Sequence, residues 1–251
     1  MTLEIITDPA LKGTTHGFFT RAGGASSGVF KGLNCGYGSS DQHDIVSINR
    51  ERVAKALNVQ PDRLVGVHQI HSADAISVTG PLGTTIKADG LATATPGVAL
   101  SVLTADCQPV LFADQKAGVI GAAHAGWKGA LDGVLEATIK QMETLGAARA
   151  NIAAVIGPSI SQRNYEVGPE FLDQFLQADP TYSRFFAGGS GDRMHFDLPA
   201  FGLYRLRQIG VRSATWTRHC TYADPDRFFS YRRSVHKKEA DYGRLIAAIR
   251  L

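Results

Sequence analysis

The chain has 251 residues, 44% of them hydrophobic and 20% charged, with a formal net charge of +3. That length and apolar content suffice for a full core in one large domain, and so small a net charge gives no reason to expect a nucleic-acid partner. Three cysteines are too few for a disulfide scaffold and odd in number, which favours a reducing compartment.

The start, Met1-Thr2-Leu3-Glu4, lacks the basic and apolar regions of a signal peptide. No apolar run reaches the ~18 residues that span a bilayer, so a cytoplasmic protein without a membrane partner is expected. A first helix is predicted over 44–57 with Asp44 as N-cap. The apolar Leu64-Val65-Gly66-Val67 then runs into His68-Gln69-Ile70-His71. In a strand those two histidines point to opposite faces, so at most one reaches a shared site.

Strands are predicted over 99–103, 110–113 and 119–123, the last two joined by the polar turn Asp114-Gln115-Lys116-Ala117. If Ala113 pairs with Gly118, Cys107 faces His124 across the hairpin. Cross-strand partners have Cβ atoms about 4.5–5.5 Å apart, close enough for a thiolate and an imidazole to share one ion. Pro109 cannot donate to a ladder, so regular pairing is expected to end near Cys107, at a strand end. The loop Gly126-Trp127-Lys128-Gly129 leads into a helix over 130–145, and its free N–H groups would suit an anion beside His124. Alternatively the glycines permit close packing and Trp127 fills core.

Further along come a strand over 152–156, proline-initiated helices over 169–177 and 199–209, a flexible Gly188-Gly189-Ser190-Gly191 loop and a strand over 214–217. No repeat or linker is present. Mixed helices and strands with a hairpin predict an α/β (α+β) layered sandwich with mixed sheets, a single compact domain over 1–251.

Two imidazoles and one thiolate are a borderline-soft set that suits zinc, and three ligands leave the fourth tetrahedral position open, the catalytic pattern. The competing reading is a buried cysteine and a hydrogen-bonded core histidine, since no C-x-x-C or H-E-x-x-H spacing is present. Near the C-terminus Arg232 and Arg233 follow Phe228-Phe229-Ser230-Tyr231 and are candidates for anion binding at a pocket rim. Arg21, beside Gly23 and Gly24, is either an anion clamp or surface charge.

Several segments carry a resemblance: Phe19-Thr20-Arg21-Ala22-Gly23-Gly24, Gly32-Leu33-Asn34, His68-Gln69-Ile70-His71, Ala88-Asp89-Gly90, Thr104-Ala105-Asp106-Cys107-Gln108-Pro109-Val110 and His124-Ala125-Gly126-Trp127. Ile156-Gly157-Pro158, Tyr165-Glu166-Val167-Gly168, Cys220-Thr221-Tyr222, the Ser-Tyr-Arg-Arg run and Gly243-Arg244 continue it in order. Together they resemble the laccase-domain family, also called the YfiH-like polyphenol oxidase or purine nucleoside phosphorylase family. The resemblance implies zinc ligands His71, Cys107 and His124, with His68 left as a neighbour and Cu2+ as a possible substitute for Zn2+.

It also implies purine nucleosides and inorganic phosphate as partners: phosphorolysis of adenosine, inosine and methylthioadenosine, and deamination of adenosine to inosine. Catalysis would fall to Cys107 and His124 with Asp106, Asp89 or Glu166 moving the proton. Substrate would be held by Arg21, Asn34, Gln69, Trp127, Arg232 and Arg233, in a monomer or small homo-oligomer. Three other readings stay open: a copper-dependent polyphenol oxidase, a Cys-His hydrolase in peptidoglycan precursor editing, and a zinc-stabilised interaction domain closed by Cys220 or His68 as fourth ligand.

Overall fold

The computed structural model describes residues 2–251. In chain order its elements are β1 (Ile5–Ile6), β2 (Thr15–Phe19), α1 (His43–Ala56), β3 (Leu64–Val65), β4 (Ala75–Ser77), β5 (Gly90–Thr93), β6 (Ala99–Thr104), β7 (Gln108–Asp114), β8 (Val119–Ala125), α2 (Trp127–Asp132) and α3 (Val134–Thr144). Then follow β9 (Ala153–Ile156), β10 (Glu166–Val167), α4 (Pro169–Ala178), β11 (Phe186–Gly188), β12 (Met194–Phe196), α5 (Leu198–Ile209), β13 (Ser213–Trp216), α6 (Tyr231–Lys237) and β14 (Leu245–Arg250).

The strands form a five-stranded sheet, β1-β2-β14-β6-β3, a six-stranded sheet, β13-β9-β7-β8-β5-β4, and a small β10-β12-β11 sheet. Both large sheets mix parallel and antiparallel pairs. Because side chains alternate across a strand, each central strand feeds two cores. Leu111, Ala113, Ile120 and Ala122 meet Leu100, Val102, Ala247 and Ile249 between the two sheets. The alternate residues Val110, Phe112 and Ala123 pack outward against α3 and α5 through Val134, Ile139, Phe201 and Leu206. On the other side Ile246 and Ala248 pack on Val53, Ala54 and Leu57 of α1 and its C-cap. The result is the expected single-domain α/β sandwich, layered helix, sheet, sheet, helix.

The departures from sequence expectation have local causes. Strand β7 pairs with β8 in the register Pro109↔His124 and Ala113↔Ile120, two residues away from the expected pairing. A two-residue slip preserves the face, so Cys107 and His124 still point the same way, toward the space between the sheets. Pairing does stop at Gln108, as Pro109 suggested.

The helix expected over 130–145 is two helices. Gly133, at φ 108°, ends α2 in a left-handed cap and begins α3. Helix α1 starts one residue early, and Asp44 sits inside its first turn, where it complements the helix dipole, with Gln42 at the cap. Only Leu64–Val65 of the expected 64–67 run pairs, with β6. The central strand β14 and helix α6 were not expected, although Leu245-Ile246-Ala247-Ala248-Ile249 is a continuous apolar run of the sort buried strands show.

A Cβ at Gly133 would meet nothing closer than 3.6 Å, so its conformation, not space, demands glycine. Gly133→Ala is expected to cost about 1–2 kcal/mol. Thermal unfolding should show a melting temperature lower by about 2–4 °C per kcal/mol; an unchanged midpoint would show that the break relaxes freely.

Candidate metal centre

Three strand or loop ends bring His71, Cys107 and His124 together, with one ligand atom from each within 4.8 Å of the others. His124 is the last buried polar residue of the inward face of β8, in line with Ile120 and Ala122. Cys107 directly precedes β7, and its Sγ lies 4.0 Å from His71 Nε2. The His71 and His124 rings stand edge-on, 4.7 Å between centroids at 81°. Tetrahedral zinc bonded to nitrogen at 2.0–2.1 Å and sulfur at 2.3 Å puts its ligand atoms about 3.5 Å apart, so this donor set fits zinc with a small contraction. Gly126 lies opposite: a Cβ there would stand 3.0 Å from Cys107 Sγ and 3.1 Å from His71 Cδ2. Any side chain at this position would press on both residues.

Asp89, fully buried just before β5, holds the His124 imidazole directly and His71 through its backbone. Its Oδ1 lies 2.7 Å from His124 Nδ1, which leaves Nε2 to face the metal position. The same carboxylate accepts the backbone N–H groups of Ile70, His71 and Ser72 and the Ser72 hydroxyl. Burial opposes its charge, but the bonds from His124 and Ser72 prevail and hold its pKa down at about 2. The loop it grips carries His71 at φ 60°. Gln69 adds a second tie, its amide accepting from Leu103 N–H and donating to Leu103 C=O, both at 2.7 Å, as another strand residue would.

Burial alone would raise the Cys107 thiol. The neighbouring His124 and His71 outweigh it and bring the thiol down to about 7. Burial likewise works against charge on His124, but the negative partners Cys107 and Asp89 raise it to about 9. Without metal the pocket therefore favours a thiolate beside a charged imidazole, and metal binding would use the thiolate and displace the His124 proton.

Asp106, which precedes Cys107, has φ 89°, an uncommon conformation for a residue with a side chain. Its carboxylate accepts Thr221 Oγ1 at 2.6 Å, Ser230 Oγ at 2.9 Å and Arg232 N at 2.7 Å. Burial raises its pKa against those donors. Arg232 extends this clamp, donating Nη1 to the Glu166 carbonyl and lying over the Tyr165 ring. Asn34 is buried, bound to Ser39, Asp41 and the backbone of Gly36 and Arg244. Trp127 packs on Phe171 and Phe175 in the aromatic core. Arg21 and Arg233 line a separate small cavity.

The three ligands open onto a cavity of about 770 Å3 whose wall also includes Gln69, His68, Tyr37, Arg50, Tyr242 and Arg244. Of the expected substrate contacts, Gln69 alone lines it, and neither Asp106 nor Glu166 does. The Arg50 guanidinium lies over Tyr37, 5.3 Å from the ring centroid, and that of Arg244 over Tyr242 at 4.3 Å. Sequence reading missed this wall. Arg244 stood in a quoted motif and Tyr37 between two glycines, but Arg50 gave no signal beyond its place on a helix. Cys220 lies outside the ligand cluster, its sulfur facing Ser161 and Asn164. Neither it nor His68 belongs to that three-residue set.

The sequence model for the multi-copper polyphenol oxidoreductase laccase family matches residues 15–251. The chain belongs to this family. Among its relatives, a Deinococcus radiodurans protein named purine nucleoside phosphorylase is 40% identical over 244 residues, covering 94% of this chain and 88% of that protein. The Escherichia coli purine nucleoside phosphorylase YfiH is 37% identical, with 90% of each chain covered. Among solved structures of similar fold, Neisseria meningitidis NMB0706 superposes with a TM-score of 0.90 at 34% identity, covering 100% of this chain and 99% of that one. Geobacillus stearothermophilus YlmD gives 0.87 at 31% identity, with 97% and 93% covered. No helix among the described residues of this laccase-family chain is long and apolar enough to cross a membrane.

Asp89→Asn puts an amide NH2 where a carboxylate oxygen accepted, and loosens both the His124 imidazole and the 70–72 backbone that carries His71. Metal affinity should fall about 10–100-fold, measured by competition with a chromogenic chelator. An unchanged affinity would show that the strands alone fix the ligands.

Proposed function

We propose that this chain is a zinc-dependent purine nucleoside enzyme, cleaving adenosine, inosine and methylthioadenosine with inorganic phosphate and also deaminating adenosine to inosine. The observation that carries the reading is the three-ligand site opening onto a cavity of about 770 Å3, within the ~300–1,000 Å3 usual for small-molecule sites. The names of the relatives point the same way. Zinc held by His71, Cys107 and His124 would supply Lewis-acid character at the cavity floor.

The chain's own residues divide the remaining work. Arg50, and Arg244 alongside its partner Asp241 at 3.5 Å, bind phosphate charge, with Asp62 the carboxylate in the wall. Tyr37 and Tyr242 offer flat faces to a purine. In phosphorolysis the bond from the purine nitrogen to the ribose carbon breaks, a phosphate oxygen bonds to that carbon, and the purine leaves with the electron pair. His68, exposed in the cavity wall, can hand the departing base its proton. Asp106 and Glu166 act here through position: Asp106 fixes the turn that presents Cys107, and the Glu166 carbonyl anchors Arg232. We place the protein in the cytoplasm on its three free cysteines, as a monomer or small homo-oligomer.

A second reading has one observation in its favour. Asp89, His124 and Cys107 stand in the order of a catalytic triad, with a thiol lowered toward 7, as a Cys-His hydrolase acting on peptidoglycan precursors would need. Copper in place of zinc at the same donors would supply slight polyphenol oxidase activity.

Zinc-loaded protein incubated with adenosine is expected to give inosine without phosphate and adenine as well with phosphate, while Cys107→Ala gives neither. Chromatography of the products decides it, and no turnover with zinc confirmed would overturn the nucleoside reading. Arg50→Gln should raise the KM for phosphate by about tenfold or more, the value of a charge-assisted contact, with little change for nucleoside. Equal rises for both substrates would remove Arg50 from the phosphate site.

A further inference from the structure

A second, much smaller cavity of about 120 Å3 lies beside the first, lined by Arg21, Phe229, Arg233, Lys237, Glu239 and Tyr242 among others. None of the metal ligands lines it, and Tyr242 is the wall common to both cavities. We propose that this cavity is a separate anion site that takes one tetrahedral phosphate group, whatever reaction the metal cavity performs.

The two arginines are pinned by neutral groups. Arg21 donates Nε to Lys31 C=O at 3.0 Å and Nη1 to Pro225 C=O at 2.9 Å, and lies over the Phe229 ring at 4.3 Å. Arg233 donates to the carbonyls of Thr221 and Tyr222 at 2.6 and 2.9 Å and to that of Phe228. A guanidinium has five N–H donors, so Arg21 spends two of its five and Arg233 three. The rest are free for an acceptor.

Among the described residues no ion pair involves Arg21, Arg233 or Lys237. Glu239 and Asp226 act on Arg21 only from beyond ion-pair distance, and burial followed by the Arg233 charge lowers its pKa. A structure that fixes two half-buried guanidiniums this way is preorganised for an anion, which arrives with the ordering of the side chains already done. The size selects the ligand. At 120 Å3 the cavity is well below the ~300 Å3 that small-molecule sites start from, which leaves room for a tetrahedral oxyanion and none for a nucleoside. Glu239 is the one carboxylate in its wall and competes with the anion for the cations.

The test is calorimetric titration of metal-loaded protein with inorganic phosphate, in an Arg50→Gln background that weakens phosphate binding in the larger cavity. Saturable binding is expected. Adding Glu239→Gln should tighten it by about threefold or more, and adding Arg21→Gln should weaken it by about tenfold. Circular dichroism checks the fold of each variant, and Glu239→Gln carries the test if the Arg21 variant fails to fold. Binding that both variants leave within about twofold, or no saturable binding at all, would overturn the proposal. Methyl phosphate separates the sources: binding as tight as phosphate assigns the site to the phosphate end of a larger metabolite, and binding of phosphate alone assigns it to the free ion.

Discussion

The grip of the Asp89 carboxylate on His124 and on the 70–72 backbone is the interaction on which the candidate metal centre depends. A fully buried carboxylate is costly to desolvate, and five donors offset that cost here. The same five bonds do structural work in two directions. They set which nitrogen of His124 faces the metal position, and they hold a loop with a left-handed histidine at its end. Replacing the carboxylate strands several buried donors at once, so ligand geometry and local stability are lost together.

Rigid and strained parts divide the construction of the centre. His124 comes from a strand packed on both sides, where alternation alone determines its direction. His71 and Cys107 come from turns that need help: His71 at φ 60° is tied by Asp89 and Gln69, and Cys107 follows Asp106 at φ 89°. Such backbone states cost of order 1–3 kcal/mol each and persist where neighbours over-determine them. Asp106 meets that condition with three donors drawn from residues 221, 230 and 232. The C-terminal segment thereby shapes a site to which it contributes no ligand.

Charge is partitioned as carefully as geometry. The arginines that stand out in the sequence, Arg21, Arg232 and Arg233, direct their side-chain hydrogen bonds to backbone carbonyls, while Arg50 and Arg244 line the cavity above the candidate metal centre. Tyr242 lies against Arg244 and separates the two basic cavities. A basic residue beside an aromatic one in the chain is thus a poor guide to which cavity it serves, because the target of a long guanidinium side chain is set by distant segments.

The sequence by itself determined the layered mixed-sheet class and the hairpin carrying Cys107 and His124, because period-two alternation and turn residues are local signals. It also determined the common face of those two residues, since a two-residue slip in register leaves the face unchanged. The three residues that meet in the candidate metal centre, His71, Cys107 and His124, were legible through rare motifs. The tertiary structure decided the rest: the break at Gly133, the central place of β14, the gripping role of Asp89, and the cavity wall of Tyr37, Arg50, Tyr242 and Arg244. The Gly133 break is a local left-handed turn inside an otherwise helical pattern, while the other three depend on contacts between residues far apart in the chain, Gly36 against Arg244 or Asp106 against Ser230, and no local pattern encodes such a meeting.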